Sequence, residues 1–215
     1  MKRFVLSVLL IALLGACGLI YRNAVEHPSK PIVCPMDALV CPDGSAVSRT
    51  GTSCTFPECP PPNVLLADIS IAFAVPTGFS PTAVSDETSV AAYTMESSGT
   101  TATSSAEIRI RRYGIIASST ALATIQSVAV NAASGLPVSA TSFTSTVIGG
   151  HRFTVVLIER FEGVVDTAYF LARGTDVLRF DAIDHGVDWT NPNLDTATLP
   201  AHQALVKLLG TLQGQ

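Results

Sequence analysis

The chain has 215 residues, a formal charge of −4 from 13 basic and 17 acidic side chains, and only 14% charged residues. A weakly charged, mildly acidic chain lacks the basic footprint that phosphate backbones demand, which removes nucleic acid from the expected partners. With the first ~60 residues set aside, about 150 remain, enough for one domain that buries roughly two-thirds of its unfolded surface.

The N-terminus fixes the expected compartment. Lys2 and Arg3 precede an apolar run from Phe4 to Tyr21, a positive n-region followed by a hydrophobic segment suited to export. Within it, Leu14-Gly15-Ala16-Cys17 resembles the bacterial lipobox, which implies cleavage before Cys17 and lipidation of that cysteine. Gly18-Leu19-Ile20-Tyr21 carries the run to 18 residues, close to spanning length, so an uncleaved signal anchor is the rival and plain secretion the third reading. All three place the remainder outside the cytoplasm, with the bacterial cell envelope as the expected location and the membrane as first partner. Residues 1–21 are read as signal peptide or anchor, and 22–33, with two prolines and mixed charge, as a tether.

Cys34, Cys41, Cys54 and Cys59 define the next stretch. Four cysteines this close in an exported protein read as two disulfides, for which three connectivities exist. Cys34–Cys54 with Cys41–Cys59 is the pairing expected here. The spacings contain no C-x2-C pair, which disfavours zinc. Residues 34–59 are too few to bury a core, so the cross-links must hold the module. Pro42-Asp43-Gly44-Ser45 marks a hairpin turn between Leu39–Cys41 and Ala46–Arg49. The stretch resembles a short cysteine motif of uncharacterised bacterial envelope proteins, which implies no activity. Val40-Cys41-Pro42-Asp43-Gly44 is also similar to part of Kazal-type inhibitors, although only four of that family's six framework cysteines are present and its Tyr-x-Asn-x-Cys signature is missing. Protease inhibition is therefore one alternative function. Pro60-Pro61-Pro62-Asn63 reads as a stiff polyproline linker.

Residues 64–215 form the main region. Ile69, Ile71, Phe73 and Val75 recur at period two, a half-buried strand stopped by Pro76. Val90–Met95 and Glu107–Tyr113 are the next strands; in the second, Ile108 and Ile110 face opposite to Glu107, Arg109 and Arg111. Glu96 to Ser105 is a serine- and threonine-rich loop. Ser118-Ser119-Thr120 offers N-caps for a helix with an apolar stripe of Leu122, Ile125, Val128, Ala129 and Ala132, ended by Gly135 and Pro137. Four runs then follow almost without interruption: Ser142–Ile148, Arg152–Phe161, Val164–Arg173 and Asp176–Ile183. Their breaks are glycine-containing pairs too short for a crossover helix, which predicts an antiparallel meander. A last helix is expected from Leu199-Pro200, burying Leu205, Leu208, Leu209 and Leu212.

These elements predict an α+β fold, an antiparallel sheet meander with two packed helices behind a small disulfide-rich module. The order resembles the PsbP-like fold. The likeness rests on Val75-Pro76-Thr77-Gly78-Phe79 after the opening strand, the helix before Gly149-Gly150, the long meander and the closing helix. It covers residues 64–215 and implies a PsbP-like α/β sandwich acting as a non-catalytic accessory domain.

Of the candidate sites, Asp181, Asp184, His185 and Asp188 form the densest acidic group, and oxygen ligands from Asp181, Asp184 and Asp188 suit Ca²⁺ better than Zn²⁺. Without the alternating ligands and central glycine of a calcium loop, the bland reading is a soluble turn. Glu107, Arg109, Arg111, Arg112, Arg152, Glu159, Arg160, Arg173 and Arg179 read mostly as cross-strand ion pairs on a solvent face, with a recessed arginine as a possible carboxylate clamp. His151 reads as a strand-end polar residue, and Trp189, Tyr169 and Phe170 as core or ligand wall. No G-x-S-x-G, H-E-x-x-H, S-x-x-K or phosphate loop occurs. The leading expectation is a membrane-anchored, non-catalytic binding or accessory domain for an envelope protein or small ligand, without a cofactor. The rival is a secreted hydrolase-like or metal-binding enzyme using the Asp181–Asp188 cluster with His151.

Overall fold

A computed structural model describes residues 16–17, 21–22, 33–41, 45–84, 86–96, 105–131 and 134–214. The chain divides into two compact units, one within Met1–Asp37 and Ser48–Pro57, the other comprising Ala38–Val47 and Glu58–Gln215. Most of the export segment and tether, the turn at 42–44, the loop at 97–104 and Ala132 lie outside the described residues. Among the described residues no helix is long and apolar enough to cross a membrane.

The smaller unit is held by the Cys34–Cys54 disulfide. Arg49 organises what surrounds it. Its Nε donates to Asp37 Oδ1 at 2.8 Å, its Nη1 donates to the Cys54 carbonyl at 3.0 Å, and its guanidinium lies 4.2 Å from the Phe56 ring centroid. A unit this short has little apolar surface to bury, so a covalent tie and a cation–π contact take the place of a core.

In the larger unit, Cys41 is bonded to Cys59. Strands β1 (Ala38–Val40) and β2 (Ala46–Ser48) form the expected hairpin ladder, and β3 (Val64–Leu66) pairs with β4 (Ile71–Phe73). The remaining strands are β5 (Ser80–Thr82), β6 (Ser89–Glu96), β7 (Ser105–Gly114), β8 (Thr144–Ile148), β9 (His151–Phe161), β10 (Val164–Ala172) and β11 (Asp176–His185). They make one seven-stranded sheet in the order β5-β6-β7-β11-β10-β9-β8, with every neighbouring pair antiparallel. Helix α1 (Ala121–Val128) starts at Thr120, whose hydroxyl accepts from the Ala123 amide at 3.1 Å. Helix α2 (Pro200–Gly210) opens on a proline, whose missing N–H costs nothing in a first turn.

This is a mostly β protein, which corrects the balanced α+β sandwich expected from the sequence and from the PsbP-like resemblance. Helices α1 and α2 have 8 and 11 residues, against a seven-stranded sheet and two small ones among the described residues. One cause is visible. The apolar stripe of α1 does not run on to Gly135: the helix stops at Val128, and Val130 instead pairs with Pro137 in an isolated bridge. The opening strand also departs from expectation: Ile69 lies in a 3-10 turn over Ala67–Ile69, and β4 covers only Ile71–Phe73.

The sheet's two faces carry separate cores. On one, Phe73, Ile108, Ile110, Phe153, Leu178 and Phe180 pack under α2, which contributes Leu205, Leu208 and Leu209 as expected. On the other, Ile125 and Ala129 cover Val156, Ala168, Phe170 and Val177. The β8–β9 turn presses on the end of α2: a Cβ built at Gly149, where φ is +57°, lies 2.8 Å from the Leu209 carbonyl oxygen and 3.0 Å from that of Gly210. Backbone on both sides leaves no room to relax. Gly149→Ala is therefore expected to lower unfolding free energy by about 2 kcal/mol or more, while Gly150→Ala, whose Cβ meets open space, suffers only the positive-φ penalty. Urea denaturation of the two variants checks the ordering.

Candidate functional site

The register separates the residues grouped in sequence. Asp181 and Asp184 are three apart on β11, so their side chains leave opposite faces of the sheet. Asp181 is buried beneath α1's side with the arginines; Asp184 Oδ1 accepts from the Ala201 amide in the first turn of α2 at 2.8 Å. Asp188 sits in an exposed turn, accepting from the Thr190 amide and hydroxyl at 3.2 and 2.7 Å. The three do not converge as the calcium reading required, and among the described residues no group of three or more His, Cys, Asp or Glu is placed to hold a metal ion.

His151 does not join them either. It opens β9, with Nε2 3.1 Å from the Leu212 carbonyl oxygen. Asp184 pairs with Val165, which pairs with Arg160 at the far end of β9. Nine residues of strand at ~3.3 Å each put His151 and Asp184 roughly 30 Å apart. The acid–imidazole site of the enzyme alternative is thus not assembled. Trp189, Tyr169 and Phe170 also part company. Trp189 lies 5.2 Å from Phe161, Tyr169 bonds the His202 ring at 2.8 Å, and Phe170 belongs to the α1 core.

The arginine-rich face is partly interior, correcting the expectation of a solvent face. Arg179, 6% exposed, donates from Nε to Asp181 Oδ1 at 2.5 Å, from Nη1 to the Val128 carbonyl at 2.9 Å and from Nη2 to Asp166 Oδ2 at 3.3 Å. Arg111 bonds the second oxygen of Asp181. The guanidinium thus satisfies two buried carboxylates and a helix C-terminus, where a cation complements the helix dipole. On the other face, burial pushes the Asp176 carboxyl up, but hydrogen bonds from Arg173 and Arg112 outweigh it and hold it below the usual range.

Asp166, which the sequence reading passed over, is less well served. Its Oδ1 is buried with no hydrogen-bond partner, and burial, reinforced by the Asp181 charge, pushes its carboxyl well above the usual carboxylate range. The folded state therefore binds this proton more tightly than the unfolded chain does. The resulting stability is present below the unfolded value near ~4 and lost as pH rises through the raised folded value. Asp166→Asn removes that loss, so its stability relative to the parent should increase from about pH 4 to neutrality. Urea denaturation at both pH values checks this; a difference that does not move with pH would contradict it.

A cleft opens where the ends of β6 and β11 and the start of β7 meet α2. It has a volume of about 340 Å³ and is walled by Met95, Ala106, Val187, Leu199 and Pro200, with Asp184 and His185 on its surface. Asp184 is 3% exposed, and burial raises its carboxyl above the usual range. Asp166, Asp176 and Asp181 each face at least one arginine; among the described residues Asp184 makes no ion pair with a side chain. A mostly apolar hollow of this size with one buried acid suits a small molecule with an apolar body and a donor or cationic head.

No protein-family model matches this chain, and no curated protein does. Among solved structures, a protein from Bacteroides thetaiotaomicron VPI-5482 is similar over 67% of this chain and 45% of its own, with 11% identity and a TM-score of 0.41. The chain thus spans less than half of that protein's length, and a likeness at this level carries no argument about fold or function. The two disulfides indicate an oxidising, extracytoplasmic environment.

Proposed function

We propose that this chain is a membrane-tethered, non-catalytic binding domain of the bacterial cell envelope, linked to its anchor by the cysteine module. The export segment with its lipobox-like Leu14–Cys17 supports the tether, and the paired cysteines support the compartment. The observation that carries the binding role is Asp184, a buried carboxylate that makes no ion pair with a side chain among the described residues and lines a mostly apolar cleft of about 340 Å³ beside His185. The other acids of β10 and β11 are already committed to arginines within the fold.

The test is native mass spectrometry of the protein isolated from its own envelope fraction, with sequencing of the mature N-terminus. A lipidated Cys17 or retained anchor, and a small-molecule adduct lost in Val187→Trp, is the expected result. Recovery from the cytosol, or an adduct-free protein whose thermal stability responds to no small-molecule extract of the envelope, would contradict the reading.

A further inference from the structure

Asp184's cleft is not isolated. A second hollow of about 370 Å³ continues along α2, sharing Met95 and Pro200 with the first and adding Val75, Phe79, Gln203 and Lys207. The two hollows together carry a buried acid and an exposed base, and the one along α2 mixes polar Thr77 and Gln203 with apolar Val75, Phe79 and Met95. Lys207 is exposed and makes no ion pair among the described residues.

The helix gives the axial offset of the two backbone positions that carry these charges. Asp184 bonds the Ala201 amide, and Lys207 stands six residues further along α2. At 1.5 Å per residue that is about 9 Å along the axis. Three extended residues span roughly 10 Å from end to end. The groove therefore matches a molecule with a cation and an anion about that far apart and a middle of mixed polarity, as a peptide backbone bearing apolar side chains has.

We propose that the groove binds a short apolar peptide of about three residues as its zwitterion, with the ammonium at Asp184 and the carboxylate at Lys207. The inference rests on the binding reading above and narrows it to a ligand class. The ammonium end carries more of the affinity, because Asp184 is desolvated and its attraction is unscreened. Lys207 is wet, and its contribution is weakened by solvent and salt. Apolar peptide side chains against Val75, Phe79, Met95 and Leu199 supply the remaining driving force.

Titration calorimetry on the detergent-solubilised full chain tests this with the tripeptide Leu-Ala-Leu, its N-acetyl form, its C-terminal amide, and octanol as an apolar probe. Acetylation is expected to weaken binding about tenfold or more, and amidation about threefold. Lys207→Met should weaken the free tripeptide by that same smaller factor and leave the amide unchanged. Asp184→Asn retains an acceptor for the Ala201 amide, so it keeps the fold by thermal melt while abolishing the preference for the free amine. Equal binding of the acetylated and free peptides would overturn the proposal. Octanol binding that Val187→Trp blocks, with no peptide binding, would overturn the ligand class and leave the cleft reading standing. If neither octanol nor peptide binds to folded protein, both fall.

Discussion

Replacing Arg179 by methionine is expected to lower unfolding free energy by about 3–5 kcal/mol, because it leaves buried carboxylates without their cation. Three groups lose a partner at once: Asp181, Asp166 and the Val128 carbonyl at the end of α1. Arg111 remains on Asp181 but does not bond Asp166 or the helix end. The deficit should shrink as pH falls and the abandoned acids protonate, since protonation removes the buried charge. The double replacement Arg179→Met, Asp166→Leu should recover part of the loss, because it removes the carboxylate left without a hydrogen-bonded cation while Asp181 keeps Arg111. Urea denaturation of both variants across pH checks the account. A single Arg179→Met variant as stable as the parent at neutral pH would show that the network contributes nothing.

Opening the disulfides should have a comparable but local effect. The two bonds span sequence separations of 20 and 18 residues, for which chain-entropy arguments give about 3 kcal/mol each. The apolar clusters of the seven-stranded sheet include no described residue from 34–59. Reduction is therefore expected to expose residues 34–59 to proteolysis while the amides of β7, β10 and β11 keep their protection from hydrogen exchange. Loss of protection in those three strands on reduction would show that the cysteine segment is part of the sheet's cooperative unit.

How far the sequence could be read varies with the range of the forces involved. The meander was legible because its signals are local: Gly149-Gly150, Glu162-Gly163 and Gly174-Thr175 all fall between strands, and the strand ends differ from expectation by a residue or two. The closing helix was legible for the same reason, Pro200 marking its start and its leucines its buried face. β5 was missed because Pro81 argues against a strand, although a proline is tolerated at the sheet edge where β5 lies. α1 was drawn too long because its apolar spacing continues past Val128, whereas the Arg179 guanidinium from 51 residues away takes the terminal carbonyl.

The candidate site was barely legible, for the same physical reason. Asp181 and Asp184 look like one cluster in the chain, but strand alternation sends them to different cores. Arg179 was legible as charged but not as interior, since its burial depends on α1 folding over that face. Asp184 acquires its significance from Leu199 and Pro200, which the chain brings back only after a loop, and from Met95, most of a domain away.

The measurement that bears most directly on the account is alkylation of the protein taken from its native cell under denaturing, non-reducing conditions, read by peptide mass spectrometry. Cys34, Cys41, Cys54 and Cys59 should be recovered unlabelled, linked as Cys34–Cys54 and Cys41–Cys59. All four carrying the alkyl group without added reductant would contradict an extracytoplasmic, disulfide-closed protein, and with it the proposed role.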